Sequence, residues 1–175
     1  MPPAEVTVSH PIVDVVLDHY RPALGSQEVL YRNHVYRCLN YQRMLFGEIP
    51  DTAALAWAVH DLGIWTEETV DYLEPSAALA EQWCDCLDID DAEVVATLVL
   101  DHHRIRPVRD ELVETFRQAD RIDVSCGRIR GGLSAAAVSR VVAEFPYAGF
   151  HRFLAGRIGP YALSHPRRPL PMLRW

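Results

Sequence analysis

Ala53-Ala54-Leu55-Ala56-Trp57-Ala58-Val59-His60-Asp61-Leu62-Gly63 is an almost unbroken apolar run of helix formers, with Asp51 ahead of it as an N-cap. A helix that is apolar all round is normally buried. The run therefore predicts a central helix, and it ends in a titratable pair. A buried imidazole beside a buried carboxylate is costly without compensation. A divalent cation compensates both, since neutral His and ionised Asp are good ligands. A core histidine followed by an aspartate near a helix end is the plainer alternative. His60-Asp61 alone does not decide between them.

The flanking sequence reads as further helices. Ser9 and Pro11 predict a short helix through Val15, Val16 and Tyr20, after a loose lead-in over 1–10. Ser26 predicts the cap of a long helix from Gln27 to Phe46, closed by Gly47. At about 100° per residue, Leu30, Cys38, Tyr41 and Leu45 share one side of it. His34 sits near the middle of that side, either as a ligand or as a core histidine bonded to a carbonyl. Pro75 opens a helix from Ser76 to about Leu87, and Asp90 with Glu93 makes a capping-box start for the next. In that helix Val94, Val95, Leu98 and Val99 set the apolar arc, with His102 inside it and His103 at its edge.

From Asp110 to Asp123 the arc is Leu112, Val113 and Phe116, and both Asp120 and Asp123 project from it. A carboxylate on an apolar face needs a cation, a cap or a cluster of donors. Asp123 is expected to find donors near the helix end, which leaves Asp120 as the better ligand candidate. Ser134 caps a helix to Phe145, and a last helix spans about Gly149 to Leu163. The Pro- and Arg-rich tail from His165 to Trp175 cannot be regular helix and is expected as either a homodimer contact or a lid. The fold class is all-α, a single domain over 1–175 with about seven or eight helices.

Composition narrows the function. The chain has 175 residues, is 49% hydrophobic and carries a net charge of −7, which suits one globular domain and argues against nucleic-acid or anionic-membrane partners. All 17 cations are Arg, so a lysine Schiff base is excluded. No apolar run reaches membrane-spanning length, no signal-peptide pattern opens the chain, and the four cysteines form no disulfide framework. A cytoplasmic setting is expected.

His34, His60-Asp61, His102 and Asp120 lie on four predicted helices, and His34, His102 and Asp120 point with the apolar faces. If those faces share a core, one metal satisfies them all. The order His34, His60-Asp61, Asp120 resembles the HD-domain superfamily of metal-dependent all-α enzymes. The resemblance covers about 26–130, with contexts Tyr31-Arg32-Asn33-His34-Val35, Ala58-Val59-His60-Asp61-Leu62-Gly63 and Gln118-Ala119-Asp120-Arg121-Ile122-Asp123. It implies an HD-domain helical bundle in which His34, His60, Asp61 and Asp120 bind a divalent ion (Mn, Fe, Zn, Co or Mg). Two-metal members add two histidines before the last Asp. Asp101-His102-His103-Arg104 looks like one of these, with His102 the expected ligand. Where the other would stand the chain has Glu74, so one ion is expected, or two with Glu74 as an oxygen ligand. Nucleotidase-like members place a catalytic Glu three residues after the His-Asp pair, and signalling-nucleotide members a Lys. This chain has Ile64.

The resemblance implies a hydrolase, of a phosphate ester by this reading, with Asp61 both ligand and catalytic residue and a small-molecule substrate. Arg104, Arg106, Arg128 and Arg130 stand near His102 or Asp120 in sequence. They are expected either to grip substrate phosphate or to serve as surface charge. An iron-dependent oxygenase cleaving a C–C or C–P bond and a cyanamide-hydratase-like enzyme are the alternatives.

Overall fold

The computed structural model describes residues 5–174, and these are all-α: nine α-helices, one short 3-10 turn and no strand among them. Residues 1–4 of the expected lead-in and Trp175 at the end of the expected tail lie outside the described residues. The helices are α1 (Pro11–Leu24), α2 (Glu28–Phe46), α3 (Asp51–Val59), α4 (Gly63–Thr66), α5 (Leu73–Leu87), α6 (Ala92–Asp101), α7 (Glu111–Val124), α8 (Ala135–Glu144) and α9 (Phe150–Ser164). α4 is a single turn, so the count differs from expectation by little more than that turn.

Every residue of α3 from Ala53 to Val59 is buried, as an all-apolar helix requires. α1, α5 and α6 pack around it, and α2 lies along α7 on the other side. Trp57 fixes the centre of the core. Its ring stacks on Phe116 of α7 at 3.6 Å, and its Nε1 donates to Gln42 Oε1 of α2 at 2.7 Å. The amide of Gln42 in turn donates to Leu112 O at 3.1 Å. One indole thus ties three helices together, with its polar atom satisfied.

Several helix starts differ from expectation because backbone geometry, not side-chain caps, sets them. Pro50 rather than Asp51 is the cap of α3, His10 rather than Ser9 that of α1, and Ser26 lies in a 3-10 turn before α2. α5 begins at Leu73, ahead of Pro75, whose missing N–H costs nothing in a first turn. The Asp90 and Glu93 capping box does not form; Asp91 holds the cap position without a side-chain bond. Asp110 and Ser134 do cap, accepting from Val113 N at 3.0 Å and Ala137 N at 3.1 Å. The lead-in is not loose over its described part: Thr7 and Asn40 exchange hydrogen bonds at 2.8 and 2.9 Å, fastening it to α2.

The tail is a strap. Met172 is buried in the core, Ile105 N donates to Arg174 O at 2.8 Å, and Arg174 and Arg168 pair with Glu74 and Asp71 at 2.5 and 3.3 Å. It therefore crosses the turn after α6 and the start of α5. All four cysteines are unpaired, and no helix among the described residues is long and apolar enough to cross a membrane.

The turn between α6 and α7 is held by a second polar knot. Glu114 accepts from Arg117, Gln118 and Val108 N, while Arg117 donates to Arg104 O at 3.2 Å. Burial alone would raise the Glu114 pKa, but these donors outweigh it and hold it down to about 2. A depressed carboxylate stabilises the fold above its ordinary value near 4.5, and that contribution is lost as pH falls towards 2. Glu114→Gln is expected to cost about 1–3 kcal/mol at pH 7 and much less at pH 3, read as melting temperatures of both proteins at the two pH values.

Candidate metal centre

His60 and Asp61 occupy the tight turn joining α3 to α4, where the ladder changes from His60 N→Ala56 O to Leu62 N→Val59 O and Ile64 N→Asp61 O. The turn is pressed against the chain before α5. A side-chain carbon at Gly63 would stand 2.7 Å from the backbone oxygen of Tyr72, so only glycine fits there. Gly63 N also donates to Ser76 Oγ at 3.0 Å. The His-Asp pair is thereby held at the meeting point of α2, α3, α6 and α7.

His34, His60, Asp61, His102 and Asp120 are brought together there, each at most 3% exposed. His34 Nε2 lies 3.0 Å from His60 Nε2, 3.5 Å from Asp61 Oδ2 and 3.7 Å from Asp120 Oδ1. His60 Nε2 is 3.4 Å from Asp61 Oδ2. Ligands about 2.1 Å from one ion stand about 3.0–3.4 Å apart at right-angled or tetrahedral positions. The spacing suits a shared cation.

The outer nitrogens of these rings fix their tautomers. His34 Nδ1 donates to Asp123 Oδ2 at 2.7 Å, His60 Nδ1 to Trp57 O at 2.8 Å and His102 Nδ1 to Val99 O at 2.6 Å. In each neutral ring the Nε2 lone pair then faces the centre. The His34 and His60 lone pairs confront one another with no hydrogen between them, an arrangement a cation resolves. Asp61 Oδ1, His102 Nε2 and Asp120 Oδ1 are moreover buried without a hydrogen-bond partner among the described residues. Leaving such atoms unmatched costs about 1–3 kcal/mol each. The donor set fits a metal ion.

Electrostatics point the same way. Burial holds His60 down to about 3 against the pull of Asp61, which keeps it neutral. Burial also pushes Asp120 up to about 6, aided by the charges on Asp61 and Asp123. Burial would raise Asp61 too, but His60, His102 and His34 outweigh it and hold the carboxyl well below its usual range. On His34, burial opposes charge but the net shift is upward. The Cys38 thiol, which burial pushes up to about 12, is uncharged at neutral pH, leaving Asp123 and Asp61 as the groups that raise it.

No family model, curated protein or solved structure matches this chain. The chemistry of the centre is read from its own atoms.

Those atoms form two adjacent groups. Asp61 turns Oδ2 to His34 and His60 and Oδ1 to His102, 3.5 Å away. Asp120 turns Oδ1 to His34 and Oδ2 to His103 Nδ1, 3.4 Å away. Both carboxylates thus face a His34/His60 side and a His102/His103 side. Glu74 is not brought there: it is exposed and paired with Arg174. His103, seen in the sequence only at the edge of its arc, stands in that place instead, because α6 ends at Asp101 and the following turn swings it inward.

Asp123 and Arg37 were the partners least visible in the sequence. Asp123 orients His34 and is itself gripped by Arg37, through Nε at 2.5 Å and Nη2 at 2.8 Å. Its donors come from α2 rather than from its own helix end. Burial would raise the Asp123 pKa; Arg37 and His34 hold it down to about 2. Phe150 of α9 stacks on the other face of His34 at 4.0 Å.

A cavity of about 440 Å³ opens beside His102, His103 and Asp120. Of the arginines expected to grip substrate, Arg104 pairs with Asp101 at 3.1 Å, and Arg106, Arg128 and Arg130 are exposed; none lines this cavity. Arg121 does. Its signal in the sequence was adjacency to Asp120, which helix geometry makes a poor guide on its own.

Proposed function

We propose that the chain is a metal-dependent hydrolase of a phosphate ester. The observation that carries the reading is the buried, unmatched set Asp61 Oδ1, His102 Nε2 and Asp120 Oδ1, two of whose residues, His102 and Asp120, line a cavity. Its support includes the ordered residues that resemble the HD-domain superfamily. His34, His60, Asp61 and Asp120 would hold one ion, and His102 and His103, with the second oxygens of the same aspartates, another. Mixed imidazole and carboxylate donors favour Mn, Fe, Co or Zn over Mg. When bound, the metal supplies polarisation of a phosphoryl oxygen and a lowered pKa for water.

The chain's own residues do the rest. Asp61 and Asp120, anchored on rigid elements, would hold the ions between the two histidine pairs; as the attacking water bonds to phosphorus and the ester P–O bond breaks, Asp61 accepts the water's proton and returns it to the departing alkoxide. Asp123 and the Trp57 and Val99 carbonyls keep the imidazoles in the ligating tautomer. His103 meets the Tyr72 hydroxyl at 2.7 Å, which fixes its ring at the cavity wall. Ile64, where nucleotidase-like relatives of the family have Glu, is buried and offers no acid or base, so the aspartates carry the proton chemistry.

Metal analysis of protein purified without chelator is expected to give two ions per chain, falling to one in His103→Ala. A value of one in the native protein would reduce the centre to the His34/His60 side. The paired positions also suit a two-iron oxygenase. A phosphatase panel beside an oxygen-uptake assay separates the two: phosphate release without oxygen use supports the hydrolase, and oxygen use overturns it.

A further inference from the structure

The cavity at the metal centre has a composition that the proposed reaction does not require. Four of its lining side chains, Ile105, Val124, Ile129 and Leu173, are apolar. Val124, Ile129 and Leu173 are 42%, 52% and 40% exposed and belong to the few large apolar side chains left in solvent among the described residues. Scattered exposed apolar residues need no explanation, but a group of them at the mouth of a buried polar centre does. They come from three separate places: the turn after α6, the end of α7 with its following loop, and the C-terminal strap.

Arg121 is the single cation in this lining. Among the described residues it forms no ion pair, and its guanidinium makes one hydrogen bond, to Arg104 O at 3.3 Å. Most of its five donors are thus left for something else. Apart from His102 and His103, which the proposed ion would engage, no aromatic side chain lines the cavity, so a nucleobase would find no Phe, Tyr or Trp to stack on. About 440 Å³ is the size of a small-molecule site.

We infer that this cavity is a substrate site for a phosphate monoester of a small apolar alcohol. Arg121 holds the phosphoryl oxygens from the side away from the metal ligands. Ile105, Val124, Ile129 and Leu173 take the apolar group. Leu173 makes the strap a working wall of the site: Ile105 N→Arg174 O and the Arg174–Glu74 pair hold that wall in position. The inference rests on the phosphoester reading for its reaction, but the cavity's preference can be measured without turnover.

The test is calorimetric binding of methyl-, ethyl- and butylphosphonate, which have no ester to cleave, to zinc-loaded protein of verified metal content. Affinity is expected to rise about tenfold or more from methyl to butyl, since a buried methylene is worth about fourfold. Leu173→Ser is expected to remove most of that rise and leave methylphosphonate binding unchanged. Arg121→Gln is expected to weaken all three by about tenfold to a hundredfold, with Arg121→Lys recovering part. Both positions are partly exposed, and melting temperatures check that the variants fold. Affinity independent of chain length, or a rise that survives Leu173→Ser, overturns the inference even if phosphate esters are hydrolysed. The expected binding pattern with no hydrolysis of butyl phosphate leaves the site standing and removes the hydrolase reading.

Discussion

Arg37→Met is expected to lower the unfolding free energy by about 3–5 kcal/mol. Arg37 is fully buried, and its guanidinium is shared between the Asp123 carboxylate and the backbone oxygens of Phe145 and Pro146, each at 3.1 Å. Methionine fills the space but leaves a buried carboxylate and two carbonyls without donors. At about 2–4 °C per kcal/mol for a chain this size, the melting temperature falls by about 6–20 °C. The pH profile identifies the cause. In the native protein Asp123 is held down to about 2, so its contribution is present above its ordinary 3.8 and is lost as pH falls towards 2. In Arg37→Met the carboxyl's pKa rises, so the deficit at pH 7 shrinks as the solution is acidified. Adding Asp123→Asn should recover part of the loss, since the amide oxygen still accepts from His34 Nδ1 without a charge to bury. A loss under about 1 kcal/mol, or one equal at pH 7 and pH 3, would show that the pair does not carry the stability assigned to it.

The same pair shows where sequence reading reaches its limit. The all-apolar run before His60 announces a buried helix by composition, and Asp120 announces itself because a carboxylate on an apolar arc must be compensated. Both follow from local pattern. Arg37 does not, because its partner lies 86 positions away and nothing in the spacing of α2 marks an arginine as buried. Glu74 and His103 exchange roles for a related reason. Chain order places Glu74 in line for a ligand, but Arg174 from the other end of the sequence draws it to the surface. His103 gains its place from the turn that ends α6, and a helical arc extended through it has no means of showing that turn. Arg128 and Arg130 follow Asp120 in sequence yet face solvent, while Ile129 between them lines the cavity. Side-chain chemistry was legible where a helix face imposed it and illegible where loops and the strap decided.

The other large effect separates a metal centre from a polar core. Metal-loaded protein is expected to melt well above chelator-treated protein: with free ion at about 1,000 times its dissociation constant, linkage supplies about 4 kcal/mol, or about 8–16 °C. Asp61→Asn is expected to abolish that gap together with the proposed hydrolysis. The decisive comparison is between the two chelator-treated proteins. Without metal, Asp61 Oδ1 and His102 Nε2 are 3.5 Å apart, and His102 Nε2 is unmatched. An asparagine amide places a donor beside that lone pair and removes a buried charge, so metal-free Asp61→Asn should be at least as stable as the metal-free native protein. The substitution then costs stability only when ion is present. If Asp61 served the fold alone, through the His34, His60 and His102 contacts, losing its charge would destabilise both forms alike and chelator would leave the native melting temperature where it was. That pair of results would sink the metal centre; a loss confined to the loaded protein follows only if the carboxylate's partner is the ion.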